Sequence, residues 1–199
     1  MKTKQAPIDM NAIRKLIQEK QFLAFNAKNA KWGFNLPLED FAVAIAIHTP
    51  GAYGSRIANR LGLELGLSPS KNQNKGDKKK WTKNGELFFE IKGSLITSTN
   101  LTLNTVQIRW WQSVDYIVYC WDIRDTSRVE LRYLYLTKDQ MDQELRRCRI
   151  GSAHGTKEAN KNNKTKELAI RLPLYSPDYF RWIKNYGMSL NDLKNKLTA

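Results

Sequence analysis

The feature of the sequence that most restricts its folding is the dipeptide Asn84-Gly85 between two strand-compatible runs. Asn-Gly in such a setting is the strongest short-range signal for a two-residue β-hairpin turn, because both residues tolerate a positive φ. The sequence therefore predicts a hairpin with one strand over residues 77–83 and the other over residues 86–96. If Asn84 and Gly85 form the loop, the pairing extends outward until Asp77 stands opposite Lys92.

The predicted hairpin brings three charged side chains together. Side chains alternate between the two faces of a strand, so Asp77, Glu90 and Lys92 should project from one face. Two adjacent carboxylates repel one another unless a cation joins them, and a small number of oxygen ligands suits Mg²⁺. A lysine beside them can orient a water molecule or help to deprotonate it, which favours metal-assisted hydrolysis of a phosphodiester. The alternative is a solvated strand edge with a cross-strand salt bridge. The other face of the second strand is apolar and is expected in the core: Leu87, Phe89 and Ile91.

Length and charge narrow the class of protein. At 199 residues the chain fits one compact domain, with 41% hydrophobic and 26% charged residues. Lys and Arg outnumber Asp and Glu by 33 to 19, and the net charge of +14 attracts polyanions. Nucleic acid is the first candidate partner, although ribosomal and membrane-surface proteins share this charge balance. Because the sequence has neither an apolar run long enough for a membrane span nor a signal peptide, we expect a cytoplasmic protein.

Periodicity and capping residues predict a mixed fold. Helices are predicted over about 8–28, from Ser55 to Gly66, from the cap Thr137 to about Arg147, and after Tyr175 and Ser189. The apolar run Phe41–Ile47 is predicted as a buried helix, with a buried strand as the alternative. Further strands are predicted at about 116–123 and 129–136. The expected fold class is α/β (α+β), a single domain with a central mixed β-sheet flanked by helices. Cys120 and Cys148 are expected to be reduced and partly buried, since no CxxC pair or nearby histidine completes a zinc site.

A resemblance to a known family can be stated on these residues. Gly76-Asp77, followed after twelve residues by Glu90-Ile91-Lys92, resembles the PD-(D/E)XK nuclease superfamily. The segments 74–77 and 89–94 are most similar to type II restriction endonucleases, and the resemblance covers about Ser55 to Glu167. Its Asp/Glu/Lys core is the part specific enough to name chemistry. The sequence departs from the motif at Gly76, where the family name has proline.

The resemblance implies a mechanism and a partner. Asp77 and Glu90 would ligate Mg²⁺ with help from the carbonyl of Ile91, and Lys92 would position the attacking water. Glu64 could add another acid, or could be a surface glutamate. The implied fold is a restriction-endonuclease-like core over about 55–136. The implied protein is a type II restriction endonuclease, a homodimer that cuts double-stranded DNA at a specific, palindromic sequence. The alternatives are a junction-resolving or repair nuclease, and a basic DNA-binding module without catalysis.

The sequence also predicts where DNA is contacted. Polar and basic residues beside the catalytic strand can reach phosphates and base edges, and the Asn- and Lys-rich segment 149–167 is the expected recognition loop, or else a solvated surface loop. Trp110 and Trp111 are expected in the core, with stacking on DNA as the alternative. The predicted DNA contacts are Lys78, Lys79, Ser94, Gln107, Arg109, Gln112, His154, Lys157 and Asn160.

Overall fold

A computed structural model describes residues 37–39, 41–42, 53–71, 73–83, 85–125, 128–152 and 167–198. The predicted helix over 8–28, most of the predicted helix Phe41–Ile47 and residues 153–166 of the predicted recognition loop lie outside these ranges. Within them, the helices are α1 (Tyr53–Glu64), α2 (Lys138–Arg147), α3 (Pro177–Tyr186) and α4 (Leu190–Lys196). The strands are β1 (Ser68–Pro69), β2 (Lys78–Thr82), β3 (Gly85–Ile96), β4 (Thr102–Ile108), β5 (Asp115–Asp122), β6 (Glu130–Leu136), β7 (Ile150–Ser152), β8 (Leu168–Pro173) and β9 (Gly187–Met188).

The strands form two sheets. The central sheet has six strands in the order β1-β2-β3-β5-β6-β9, and it is mixed because β3 and β5 run parallel while its other neighbours run antiparallel. The predicted α+β class and central mixed sheet are confirmed. A second sheet, β4-β8-β7, is antiparallel and was not predicted. Strands β4 and β8 are 7 and 6 residues long and lie far apart in the chain, so no turn signal joins them as a hairpin.

The hairpin of β2 and β3 is present with a register that differs from the predicted one by two residues. Thr82 pairs with Gly85 and Lys78 pairs with Phe89, so Thr82 and Gly85 are the last pair before the turn. The hydroxyl of Thr82 donates to the carbonyl of Gly85 at 2.9 Å, and Gly85 has a φ of 114°. The predicted pairing of Asp77 with Lys92 is therefore wrong. A shift by an even number of residues keeps every side chain on its face, so the predicted grouping of side chains survives.

The central sheet is covered on both faces. On one face, odd-numbered residues of β3 pack against α1 and α4 in a cluster that includes Phe89, Ile91, Ile57, Leu61 and Leu193. On the other face, a second cluster joins β5 and β6 to the second sheet and to α2 and α3, and it includes Val118, Leu134, Met141, Ile170 and Trp182. The expectation that Leu87 lies in the core is wrong, because it is 38% exposed near the turn of the hairpin.

Several local predictions are confirmed. Helix α1 is followed by Gly66 with a φ of 65°, as a helix stop requires, although the helix begins two residues before the predicted cap Ser55. Thr137 caps α2 in a capping box with Gln140. Strands β5 and β6 lie within a residue of their predicted bounds, and both cysteines are buried and free. None of the described helices is long and apolar enough to cross a membrane.

Candidate active site

Glu90 occupies the middle of β3 and is only 1% exposed. Its Oε1 accepts a hydrogen bond from the Nζ of Lys92 at 2.6 Å. Its Oε2 is buried and has no hydrogen-bond partner among the described residues. A buried carboxylate oxygen without a donor is costly, because it has lost its hydration and gained nothing in return. Such an oxygen is suited to a ligand that carries positive charge.

Asp77 lies immediately before β2, beside the peptide that joins Phe89 to Glu90. Its backbone N–H donates to the carbonyl of Phe89 at 3.0 Å, and its own carbonyl accepts from the N–H of Ser70 at 2.9 Å. Asp77 lies one residue beyond the last pair of the β2–β3 ladder, Lys78 with Phe89, and its negative charge acts on Glu90. Burial raises the pKa of Glu90, the negative charge of Asp77 raises it further, and Lys92 opposes both. The structure thus brings Asp77 near the paired side chains of Glu90 and Lys92.

Gly76 sets the position of Asp77. Its φ is +71°, which L residues rarely adopt, and a Cβ at this position would lie 2.6 Å from the carbonyl oxygen of Phe89. Proline, with φ fixed near −65°, cannot take this conformation. The backbone conformation and the close approach of Phe89 therefore favour glycine at this position.

We expect Gly76→Ala to reduce both stability and any activity of this site. The new methyl group must push β2 away from β3, and misplacing Asp77 by about 1 Å would slow a reaction by on the order of 10²-fold. The matched control is Gly85→Ala in the same hairpin, where φ is also positive but nothing lies within 4 Å of the added Cβ. Urea unfolding measures the loss of stability, and the rate of the phosphodiester hydrolysis that the sequence predicts measures the loss of activity. If Gly76→Ala and Gly85→Ala lost the same amount of stability and activity, this role of Gly76 would be contradicted.

Arg109 is the cation that sequence reasoning did not place next to the carboxylates. Its Nε donates to the Oε1 of Glu167 at 2.8 Å, and Glu167 is 6% exposed. The hydrogen bond to Glu167 raises the pKa of Arg109, burial opposes this, and the negative charges of Glu90 and Asp77 raise it further. Nothing in the sequence points to this pair, because its members are 58 residues apart.

Tyr116 is a second neighbour of the site that the sequence did not identify as functional. It pairs with Glu90 in the register of β3 and β5. Its hydroxyl is buried and has no hydrogen-bond partner within the part of the chain that the structure describes. Burial, assisted by the charge of Glu90, raises the pKa of Tyr116. The hydroxyl therefore remains protonated and able to donate.

Three of the predicted DNA contacts are interior residues. Lys78 is 7% exposed and donates to the Oδ1 of Asn59 at 2.9 Å, and burial lowers its pKa against the opposing charge of Asp77. Ser94 is fully buried and donates to the carbonyl of Thr102 at 3.1 Å. Gln112 is buried as well. In this conformation these side chains support the fold rather than present a surface to DNA.

The remaining predicted contacts differ in accessibility. Lys79 is half-buried and forms an ion pair with Glu86 at 2.7 Å. Gln107 is exposed, and Arg109 is partly exposed. His154, Lys157 and Asn160 lie outside the described residues.

Trp110 and Trp111 do not lie in the core. They are 52% and 41% exposed, and their rings meet edge to face with centroids 6.1 Å apart. They lie in a turn that is closed by a hydrogen bond from the N–H of Gln112 to the carbonyl of Arg109 at 3.0 Å. The expectation that these tryptophans pack inside is wrong, because the turn carries them out of the sheet.

Glu64 does not join the carboxylates. It lies on α1, which packs on the face of β3 opposite to Glu90, and it pairs with Arg60 at 2.8 Å and Lys194 at 3.4 Å. Burial would raise the pKa of Glu64, but these two cations outweigh it and the pKa is lowered. No group of three or more His, Cys, Asp or Glu side chains that could hold a metal occurs within the described ranges. Any metal at this site would therefore depend on two carboxylates, backbone oxygen, water and substrate.

Comparisons of the chain with protein-family models, curated proteins and solved structures gave no match. The fold and the site define the protein only coarsely. It is an α+β protein whose central mixed sheet holds a buried Glu90–Lys92 pair beside Asp77, with Arg109 nearby.

Proposed function

We propose that this protein is a Mg²⁺-dependent endonuclease that hydrolyses phosphodiester bonds in double-stranded DNA. The observation that carries the proposal is the buried Oε2 of Glu90, which lacks a hydrogen-bond partner among the described residues, next to Lys92 and the charge of Asp77. A structural ion pair would gain nothing from leaving one carboxylate oxygen unsatisfied in the interior. A site that binds a cation explains the cost.

The residues present fit Mg²⁺. Asp77 and Glu90 offer carboxylate oxygens and Ile91 offers a carbonyl, which are the hard ligands that Mg²⁺ prefers, and Mg²⁺ usually keeps water and substrate phosphate as its other ligands. When bound, Mg²⁺ would supply positive charge to the phosphoryl group and to a bound water. The raised pKa of Glu90 has burial as its first cause and the charge of Asp77 as another, and a nearby cation would oppose both.

Lys92 has the position of the residue that handles water. Its Nζ is 2.6 Å from Glu90, and its side chain is 10% exposed, so it is fixed yet reachable from the site. An ammonium group held in this way can hold the attacking water by a hydrogen bond and stabilise the negative charge that develops on phosphate oxygen. The net charge of +14 would draw DNA to the protein.

The finer proposal is a type II restriction endonuclease. The mixed sheet, with α1 on one face and α2 and α3 on the other, supports the restriction-endonuclease-like core that the motif implies. A palindromic target would be matched by a two-fold homodimer. A junction-resolving or repair nuclease would share the same three residues.

Plasmid cleavage tests the proposal. Purified protein with Mg²⁺ is expected to convert supercoiled plasmid to discrete linear fragments, and EDTA is expected to stop the reaction because the metal is removed. Discrete fragments would support restriction, whereas cleavage of branched DNA alone would indicate a resolvase. Sequencing the fragment ends would identify the target. If the protein binds duplex DNA but cuts no DNA in Mg²⁺, it is a binding module and the proposal fails.

A further inference from the structure

We propose that Arg109 binds the scissile phosphate of the DNA and that Glu167 positions Arg109 for this purpose. The inference rests on the proposed nuclease function. It assigns to Arg109 a role at the reacting phosphate, in addition to the general contact with DNA that the sequence suggests. Three features of the described residues support it: an irregularity in β4, the pairing with Glu167, and the charges that surround Arg109.

Strand β4 contains a β-bulge next to Arg109. Thr105 pairs with Ile170 but Ile108 pairs with Leu168, so residues 106 and 107 together oppose Ala169. The extra residue advances the register by one. Arg109, the next residue after Ile108, then stands opposite Glu167, the residue before Leu168. In a regular ladder Glu167 would face Ile108 instead.

The bulge has an energetic cost. Gln107 has a φ of 56°, and a residue other than glycine in this region costs roughly 1 kcal/mol. Thr105 and Ile108 are both fully buried, whereas strict alternation would have buried residue 107. Bulges and strained residues concentrate beside active sites, where they re-aim a side chain. Here the side chain that is re-aimed is Arg109.

The charges around Arg109 suit an oxyanion. Glu167 accepts a hydrogen bond from the Nε of Arg109. Among the described residues, none accepts a hydrogen bond from the two Nη groups of this guanidinium. These groups can therefore bind a phosphate through two parallel hydrogen bonds. The negative charges of Glu90 and Asp77 also act on Arg109 and raise its pKa. A phosphate that approached these carboxylates would be repelled without a compensating cation. Arg109 provides that positive charge at the same site. Its hydrogen bond to Glu167 holds the guanidinium in place, so that it does not form an ion pair with Glu90 instead.

Three variants separate this role from a structural one: Arg109→Ala, Arg109→Lys and the control Arg128→Ala. Arg128 is an exposed arginine near the opposite end of β5. Single-turnover cleavage is measured in Mg²⁺, and duplex binding is measured by fluorescence anisotropy in Ca²⁺ over a range of salt concentrations. We expect Arg109→Ala to cleave on the order of 10²- to 10³-fold more slowly, because a donor to the developing charge is lost. The slope of log affinity against log salt should fall by about one, as for one lost phosphate contact.

Arg109→Lys keeps the charge but loses the planar fork. We therefore expect its binding to stay within a few-fold of wild type while its single-turnover rate falls by more than about 10-fold. Arg128→Ala should match wild type in cleavage rate. Wild-type cleavage by Arg109→Ala, or an unchanged salt slope, would overturn the inference while leaving the nuclease intact. A wild-type protein that cuts no DNA would overturn both proposals.

A charge reversal gives a sharper test. In the double variant Arg109→Glu with Glu167→Arg, the ion pair can form again, so stability to urea should recover relative to either single variant. Cleavage should not recover, because the guanidinium is then attached to the wrong strand. Recovery of both stability and cleavage would show that the pair is only structural. Gln107→Gly should retain cleavage, because glycine accepts the φ of the bulge at lower cost.

Discussion

Glu90→Gln is expected to lose DNA cleavage by on the order of 10³-fold or more while retaining DNA binding, because in the proposed mechanism this one carboxylate supports both Mg²⁺ and Lys92. The change replaces one carboxylate oxygen by an NH₂ group of similar size, so the fold around β3 should persist. Lys92→Ala and Asp77→Ala should lose activity to a similar extent. In the proposed function, Lys92→Ala removes the group that positions the water, and Asp77→Ala removes a ligand of Mg²⁺. Single-turnover cleavage in Mg²⁺ and anisotropy in Ca²⁺ measure the two quantities.

The matched control is Glu86→Gln. Glu86 lies on the same face of the same strand and also pairs with a lysine, Lys79 at 2.7 Å, yet it is more exposed than Glu90. We expect it to cleave at close to the wild-type rate. Thermal unfolding gives a readout other than activity: Mg²⁺ should raise the Tm of wild type and of Glu86→Gln but not that of Glu90→Gln. Wild-type cleavage by Glu90→Gln or Lys92→Ala would contradict the proposed active site.

Glu144→Gln is expected to lower the free energy of unfolding by about 3–5 kcal/mol, because it breaks a buried, charged network between α2 and α3. Glu144 is 3% exposed and accepts hydrogen bonds from Trp182 at 2.8 Å and from Tyr186 at 2.6 Å. It also pairs with Arg181. An amide cannot replace the carboxylate. One of its two terminal groups is an NH₂, which is a donor and cannot accept the hydrogen bonds that a carboxylate oxygen accepts here. Urea unfolding at neutral pH measures the loss.

The pH dependence of stability follows from the same network. Burial alone would raise the pKa of Glu144, but hydrogen bonds from Arg181, Tyr186 and Trp182 outweigh it and hold the pKa at about 2. Because the folded pKa lies below the ordinary value of 4.5, this stabilisation is complete above about pH 4.5 and is lost as the pH falls towards 2. In that interval wild type should lose more stability than Glu144→Gln.

The control for the network is Glu130→Gln. Glu130 is 40% exposed and pairs with Arg132 at 2.6 Å on the surface, where such a pair contributes about 0–1 kcal/mol. If Glu144→Gln were no more destabilising than Glu130→Gln, the buried network would not hold α2 and α3 together.

The candidate active site could be predicted from the sequence because its geometry is local. The side chains of Asp77, Glu90 and Lys92 depend on strand alternation and on the parity of one hairpin, and a register error of two residues leaves both unchanged. The caps at Thr137 and Gly66 are equally local. For these features, near neighbours in the chain are also near neighbours in space.

Other features depend on contacts between distant parts of the chain. The approach of Arg109 to Glu167 depends on β4 pairing with β8, and the bulge at residues 106 and 107 that allows it has no sequence signature. The turn after β4 exposes Trp110 and Trp111, although tryptophan is usually largely buried. Helix α1 covers Lys78, although lysine is usually exposed. The sequence by itself determined which face of the hairpin carries the charges, because alternation is a property of the backbone. Only the tertiary structure decided which distant cation, hydroxyl and carboxylate surround them, because burial and pairing are set by segments that meet after folding.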